Sequence, residues 1–566
     1  MSGSPLFSIL TPVYNTPLGV LRETIDSVLA QDLDDWEWVV VDDCSSDSRV
    51  PDLLRVYAEQ DSRIRLVQRS TNGHIVAASN DALAAARGEF VVLLDHDDLL
   101  TVDALSQNQR AIDEFEDVDF LYSDEDKVSD EGEYYDDFHK PVWSPERLRG
   151  QMYTSHLTVY RTDVVRSVGG FRAGFEGSQD HDLALRVGEV ARRVVHIPEI
   201  LYHWRAVEGS AAAREDAKPY ATIAGQQAVQ DHLDRVGIRG RVEQGKEPGR
   251  YRIVREIDPS VRISVVIPTI GQSAVIFGQE RDMVVEAVRS LLARTRHDNL
   301  EIVVVYDQPT PERVLDELRE VAGDKLVLVP FERPFNYSEK MNVGVVRSTG
   351  DWLVFLNDDV EVISDRWIEN LCGPLAEDHV GLTGAKLYFS DSTIQHAGHA
   401  YWGGGYHHPY RFWTAGESGP FGELVVNREV SGVTAACAAM RRELFFDIGG
   451  FSEVLPSNFN DVDLCYKVAH AGRAILWIAN CELFHFESRT RDNTVESWER
   501  VALAERWGLP TFDQFTPDPQ SVPLVDSRVG MSRAIEQNDS RPHAERRPSR
   551  QRRRVEESQV GKTRAS

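Results

Sequence analysis

The sequence predicts an α/β protein of two tandem domains, each a mostly parallel, doubly wound sheet. Three observations predict it. Short apolar runs alternate with helical stretches, the pattern of parallel strands joined by helical crossovers. One such run, GEFVVLLDHDDLL at Gly88–Leu100, ends abruptly in Asp95, His96, Asp97 and Asp98. A second copy, GDWLVFLNDDVEV at Gly350–Val362, carries Asn357, Asp358 and Asp359 at the same place. Buried strands of open α/β sheets bring ligand-binding residues to their carboxyl ends, so each run reads as a metal and phosphate address.

In chain order, FSILTP at Phe7–Pro12 is a first strand stopped by proline, followed by a helix over about Leu18–Ala30. WEWVVVDDCSSD then supplies a strand over Trp36–Val41 that delivers Asp42 and Asp43 to a serine-rich turn. IRLVQR at Ile64–Arg69 is a short strand, and a helix over Ile75–Ala86 leads into the Gly88 run. Asp43, Arg69, Asp95 and Asp97 thereby fall at strand carboxyl ends along one edge. ISVVIPT (Ile263–Thr269), EIVVVYDQPT (Glu301–Thr310) and KLVLVP (Lys325–Pro330) repeat this order. Equivalent positions are offset by 256 residues (Pro12 to Pro268), 264 (Asp43 to Asp307) and 262 (Asp97 to Asp359). A repeat this long is a duplicated domain rather than a solenoid. The expected boundaries are 1–245 and 259–512, with a linker at 246–258 and a tail at 513–566; VEQGKEPGRYR, Val242–Arg252, marks the junction.

Length and charge set limits. A chain of 566 residues exceeds one hydrophobic core and suits two domains of roughly 250 residues. The net charge of -29 argues against nucleic acid as a partner, since phosphate backbones call for a basic face. Residues 541–566 run the other way, with nine Arg or Lys against three Glu. That end is expected to be a solvated, disordered tail, with contact to anionic lipid as the alternative. Five cysteines without CxxC spacing suit reduced thiols in a cytoplasm. MSGSPLFSILTPVYN lacks the basic and apolar regions of a signal peptide. No apolar run reaches the ~20 residues of a membrane span. The expectation is a cytoplasmic protein, soluble or peripheral at the inner membrane face.

Each half holds a second acidic cluster downstream: Asp180 and Asp182 in GSQDHDLALRV, Asp461 and Asp463 in FNDVDLCYKVAHAG. Helix capping alone accounts for one carboxylate per helix. It does not account for the histidine that follows, His203 in ILYHWR, 23 residues after Asp180, and His485 in LFHFES, 24 after Asp461. A carboxylate pair, helix, strand and histidine recurring in both halves form an internal control that favours ligands over core histidines.

These pieces, with SILTPVYN, YSDEDKV and HKPVWSPERL in the first half and FNYSEKMNVGV, IQHAGHAYWGGG and VSGVTAACAAMRRELFFDIGGF in the second, make the chain resemble tandem bacterial family 2 glycosyltransferases of the GT-A fold. The similar enzymes build rhamnose- or galactofuranose-containing O-antigen and cell-wall polysaccharides. The resemblance covers residues 7 to about 490. It implies transfer of a sugar from a nucleoside diphosphate, UDP or dTDP, to a glycan or polyprenyl-diphosphate-linked acceptor. It implies Mg²⁺ or Mn²⁺ as cofactor, because carboxylates and phosphate oxygens suit hard divalent cations that act as Lewis acid and template.

Residue by residue, the family's D-x-D falls on Asp95 and Asp97; the second half departs to N-x-D, Asn357 and Asp359, leaving Asp359 as the chief ligand. His203 and His485 match the position that completes the metal shell or touches the diphosphate. Asp180 and Asp461 match the general base that takes the acceptor proton, and one base with one metal implies inversion. Asp43 and Asp307 match the base-reading carboxylate, with Thr11, Pro12 and Tyr14 flooring the base in the first site and Pro268 and Thr269 in the second. Arg69 and Lys340 are candidate cations for the diphosphate. The run Asp124–Lys127 has a family match with no role derivable from sequence.

The second half has 102 positions between Asp359 and Asp461 against 83 between Asp97 and Asp180, and the excess falls around IQHAGHAYWGGGYHHPYRFW. Ligand clusters spaced on regular elements are missing there, which disfavours zinc; aromatic rings and glycines suit a wall for a sugar acceptor. Two other classes fit the sequence less well. A scaffold that has lost its chemistry would not keep both acidic constellations, although one catalytic half beside a non-catalytic acceptor-binding half is the main alternative. A nucleotidyltransferase would open with a Gly-rich basic loop, which TPVYNTP and PTIGQSA lack.

Overall fold

The computed structural model describes residues 4–205, 219–486, 497–516 and 525–526. Its first half is one mixed sheet. From one edge run Ile64–Gln68, Trp36–Asp42, Phe7–Val13 and Phe90–Leu93, all parallel; Thr158–Arg161 follows antiparallel, then Phe120–Val128 and Val194–Arg205. The second half repeats this order with Leu326–Phe331, Leu300–Asp307, Ile263–Thr269, Trp352–Leu356, Cys437–Arg441, Val380–Tyr388 and Ala474–His485. Helices Leu18–Leu29 and His74–Ala85 lie within a residue or two of expectation.

The central strands are apolar on both faces because both are covered. Ile9, Trp38, Val40 and Val92 face one core, while Leu10, Val39, Val41 and Val91 face another. The second half likewise carries one core per face. A repeated clasp fixes the strand that carries the acidic end. Ser8 Oγ donates to Glu37 and accepts the Gly88 N–H at 2.8 Å; Ser264 Oγ donates to Glu301 and accepts the Gly350 N–H at 2.8 Å. A Cβ on either glycine would lie 2.5 Å or 2.6 Å from the backbone nitrogen of Ser8 or Ser264, so only glycine admits the approach.

The expected linker 246–258 contains the strand Tyr251–Arg255, paired antiparallel with Gly240–Gln244. Its last residue enters a buried ionic cluster between the halves: Arg255 pairs with Glu146 at 2.6 Å and Glu377 at 2.7 Å, and Arg149 pairs with the same two carboxylates. The head of the expected tail is packed. Asp513 accepts the Tyr401 N–H at 2.7 Å, the carbonyl of Gln514 accepts the Val142 N–H at 3.0 Å, and Val525–Asp526 pairs with Val194–Arg205. The arginine-rich stretch lies outside the described residues. Among those described, no helix is long and apolar enough to cross a membrane.

Candidate active sites

In the first half, the parallel strands end where Asp43, Arg69 and Asp95 were expected. Asp43 uses one oxygen to accept the Gly73 N–H at 2.9 Å and to pair with Arg69 Nε at 2.8 Å. Arg69 also reaches Asp81, so it is held between two carboxylates. In the second half Lys340 reaches Asp307 at 3.0 Å and the Thr269 carbonyl at 2.9 Å. Partly exposed Arg69 and buried Lys340 thus each pair with the carboxylate at the neighbouring strand end. Thr11 is buried under the Trp38 indole, which donates to it at 2.9 Å; Pro12 is partly exposed and Tyr14 exposed at the strand end.

The first acidic cluster is organised by depth. Asp98 is buried and accepts from the Tyr202 hydroxyl at 2.6 Å and the Arg205 N–H at 2.7 Å. Burial, then the charges of Asp95 and Asp97, push Asp98 well above the usual carboxylate range. Asp95 is half exposed, and Asp97 faces His96 at 3.6 Å. Asp180, at the start of helix Gln179–Val190, is pushed up to about 6 by burial and then by the nearby charge of Asp95. The fold thus brings the expected base beside the expected metal carboxylates.

The second half opens as a cavity of about 740 Å³ lined by Asp307, Lys340, Asp359, His396, Asp461 and His485, among others, with Pro268 and Thr269 also in its wall. His485 Nε2 lies 3.2 Å from Asp359 and 3.2 Å from the Asn357 amide. Its Nδ1 faces Gln395 at 2.7 Å, a partner that fixes the ring as a ligand's other nitrogen is usually fixed. Asp358 points away, accepting the Thr269 hydroxyl at 2.6 Å, and burial beside Asp359 pushes it up to about 7. Asp461 heads helix Asn460–His470, whose approach is held by Glu499 accepting the N–H groups of Ser457 and Asn458.

His203 does not stand where His485 stands. Val360, one residue after Asp359, sits opposite His485; Leu99, two residues after Asp97, sits opposite His203. Trp204 thus occupies the His485 place, and a one-residue offset turns a strand side chain to the other face. His203 is held there by Asp126 at 2.5 Å and by the Tyr134 ring. The imidazole that meets the first cluster is His156, which sequence reading missed. Its Nε2 is 3.9 Å from Asp95, its Nδ1 3.4 Å from Glu125, and its ring stacks on Tyr202 at 4.6 Å. Asp95, Asp98 and His156, rather than Asp95 and Asp97 with His203, place ligand atoms within 4.8 Å of one another. Burial opposes charge on His156, but Glu125, Asp95 and Asp98 outweigh it and raise it to about 9.

The run Asp124–Lys127 now has a role. Asp124 holds His196 and His139, Glu125 holds His156 and Lys140, and Asp126 holds His203. One signal was available in the sequence: the spacing from Asp180 to His203 is one residue shorter than from Asp461 to His485.

A family model described as glycosyl transferase family 2 matches residues 8–169 and 264–449, one segment in each half. An uncharacterized protein of Sinorhizobium fredii is 41% identical over 553 residues, covering 95% of this chain and 59% of that protein. The O-antigen biosynthesis protein RfbC of Myxococcus xanthus is 35% identical over 523 residues, 91% of this chain and 40% of that protein. The chain thus spans less than two thirds of the length of either relative. The crystal structure of Staphylococcus aureus TarS 1-349 in complex with UDP-GlcNAc is 24% identical, covering 40% of this chain and 72% of that one, with a TM-score of 0.33.

Proposed function

The chain belongs to glycosyl transferase family 2, and on that premise we propose that it is a bifunctional, inverting glycosyltransferase with one site in each half. The observation that carries this reading is the recurrence of one constellation at equivalent strand ends. A base-reading carboxylate with its cation (Asp43 with Arg69, Asp307 with Lys340), a metal carboxylate (Asp95, Asp359) and a helix-borne acid (Asp180, Asp461) stand together in both halves.

Asp43 and Asp307 accept a hydrogen bond from the pyrimidine N3–H of a UDP- or dTDP-sugar. Asp180 and Asp461 take the proton from the acceptor hydroxyl, which attacks opposite the departing diphosphate and inverts the anomeric centre. Carboxylate oxygens with one imidazole form a donor set that fits Mg²⁺ or Mn²⁺. Asp95, Asp97 and Asp98 with His156 would hold the ion in the first site, and Asp359, Asn357 and His485 in the second. The ion, when bound, supplies Lewis-acid stabilisation of the leaving diphosphate. The acceptor is a lipid-linked or polysaccharide glycan, a class supported by the O-antigen function named for the Myxococcus relative. The basic tail is proposed to keep the enzyme at the cytoplasmic membrane face.

Calorimetric titration with UDP and dTDP in Mn²⁺ tests the reading. The account expects two equivalents of nucleotide per chain, with Asp43→Ala and Asp307→Ala each removing one. A single equivalent in the unmutated chain, untouched by one of these changes, would leave that half without a donor site.

A further inference from the structure

Three histidines of the Ile394–Trp413 segment, scattered in sequence, meet in the fold. His396 closes the strand Ile394–His396, His399 precedes Ala400–Trp402, and His408 follows Gly405–His407, which pairs back on Ala400–Trp402. Gly403 and Gly404, both at positive φ, make the tight turn that returns His408 beside His396. Ring centroids are 4.9 Å (His396–His399), 5.1 Å (His396–His408) and 4.7 Å (His399–His408) apart, at interplanar angles of 77°, 74° and 88°. No pair stacks, and one nitrogen of each ring lies within 4.8 Å of the others.

We propose that His396, His399 and His408 form a site for a divalent transition-metal ion of the zinc class, separate from the carboxylate site at Asp359. The donors are three imidazoles with no carboxylate among them, a set that favours Zn²⁺ over Mg²⁺ or Mn²⁺. Burial, with the neighbouring histidines for His396 and His408, lowers all three below the usual histidine range, so the rings are neutral and keep lone pairs for a cation. Tetrahedral Zn–N bonds of about 2.0–2.1 Å separate the nitrogens by about 3.4 Å. The Nδ1 atoms of His396 and His408, at 3.0 Å, need open only slightly.

Without a cation those two atoms share one proton, because Nε2 of His396 accepts the Thr434 N–H at 3.3 Å. A cation between them sends that proton to Nε2 of His396, at the cost of the long Thr434 contact, and no proton leaves the cluster. The Tyr401 hydroxyl, 3.5 Å from Nδ1 of His399, steadies the third ring. The cluster lines the same cavity as Asp461, whose charge acts on His399. Given the transferase reading, an open fourth coordination position there would orient an acceptor oxygen beside the base; the ion site itself does not depend on that reading.

The test counts metal on the full chain purified without chelator and titrated with Zn²⁺. The expected result is one tightly held Zn²⁺ in the unmutated chain and in Asp359→Asn, with affinity falling at least about tenfold in His399→Ala and His408→Ala. Titration of the unmutated chain with Co²⁺ needs no variant to fold, and one equivalent should give the intense visible absorption of tetrahedral nitrogen coordination. Absence of that band, zinc binding unchanged by His399→Ala, or zinc lost in Asp359→Asn would each overturn the proposal. Neither readout requires sugar transfer, so failure here is distinguishable from failure of the transferase reading.

Discussion

Asp180 is the residue whose surroundings most directly set its chemistry. In the metal-free chain its carboxyl is held up to about 6 by burial and by Asp95, which suits the base role proposed for it. Asp180→Asn is expected to cost first-site kcat/KM at least about 100-fold at neutral pH, measured by steady-state kinetics, and because a cation on Asp95 offsets that carboxylate's charge, the acid limb of the profile with Mn²⁺ should lie below the metal-free value. First-site kcat/KM unchanged in Asp180→Asn would remove Asp180 from the base role. The carboxylates were legible in the sequence because a buried strand that ends in acids has few other uses. Arg69 and Lys340 were legible as residues of the nucleotide end but not as partners of Asp43 and Asp307. Their reach depends on where adjacent helices set them, which composition does not encode.

At the scale of elements, the two halves differ by one residue of strand register. The strand Val194–Arg205 presents Trp204 where Ala474–His485 presents His485, and His156 reaches Asp95 from the segment before Thr158–Arg161. Mn²⁺ binding followed by electron paramagnetic resonance should therefore weaken about tenfold or more in His156→Ala and His485→Ala, while His203→Ala changes it little. Equal losses in His156→Ala and His203→Ala would mean the register argument misplaces the ligand. The strand and helix order was readable from alternating patterns, and the offset only as a spacing of 23 against 24 that loop length would equally explain. Glu125 was unreadable as the holder of His156, because 31 residues and a strand pairing separate them.

At the scale of the whole molecule, duplication was legible from offsets near 260 residues, but the buried ion pairs between the copies were not, since they join residues more than 100 positions apart. The Gly-, Pro- and Arg-rich stretch Val242–Arg252 marks the expected junction, and Arg255, three residues beyond it, is fixed by two buried carboxylates. Removing Glu146 leaves Arg255 and Arg149 with only Glu377 to share, so Glu146→Ala should lower unfolding free energy by about 3–5 kcal/mol in denaturant melts. Both transfer activities should then fall together on warming, because the cluster braces each half against the other. Release of nucleoside diphosphate tests most directly whether each half carries its own transfer site. UDP-, dTDP- and GDP-sugars would be supplied with Mn²⁺ and native membrane lipid extract to the unmutated chain, to Asp180→Asn and to Asp461→Asn. Loss of a different donor's turnover in each variant is the predicted result; turnover of every donor surviving both changes would contradict the account.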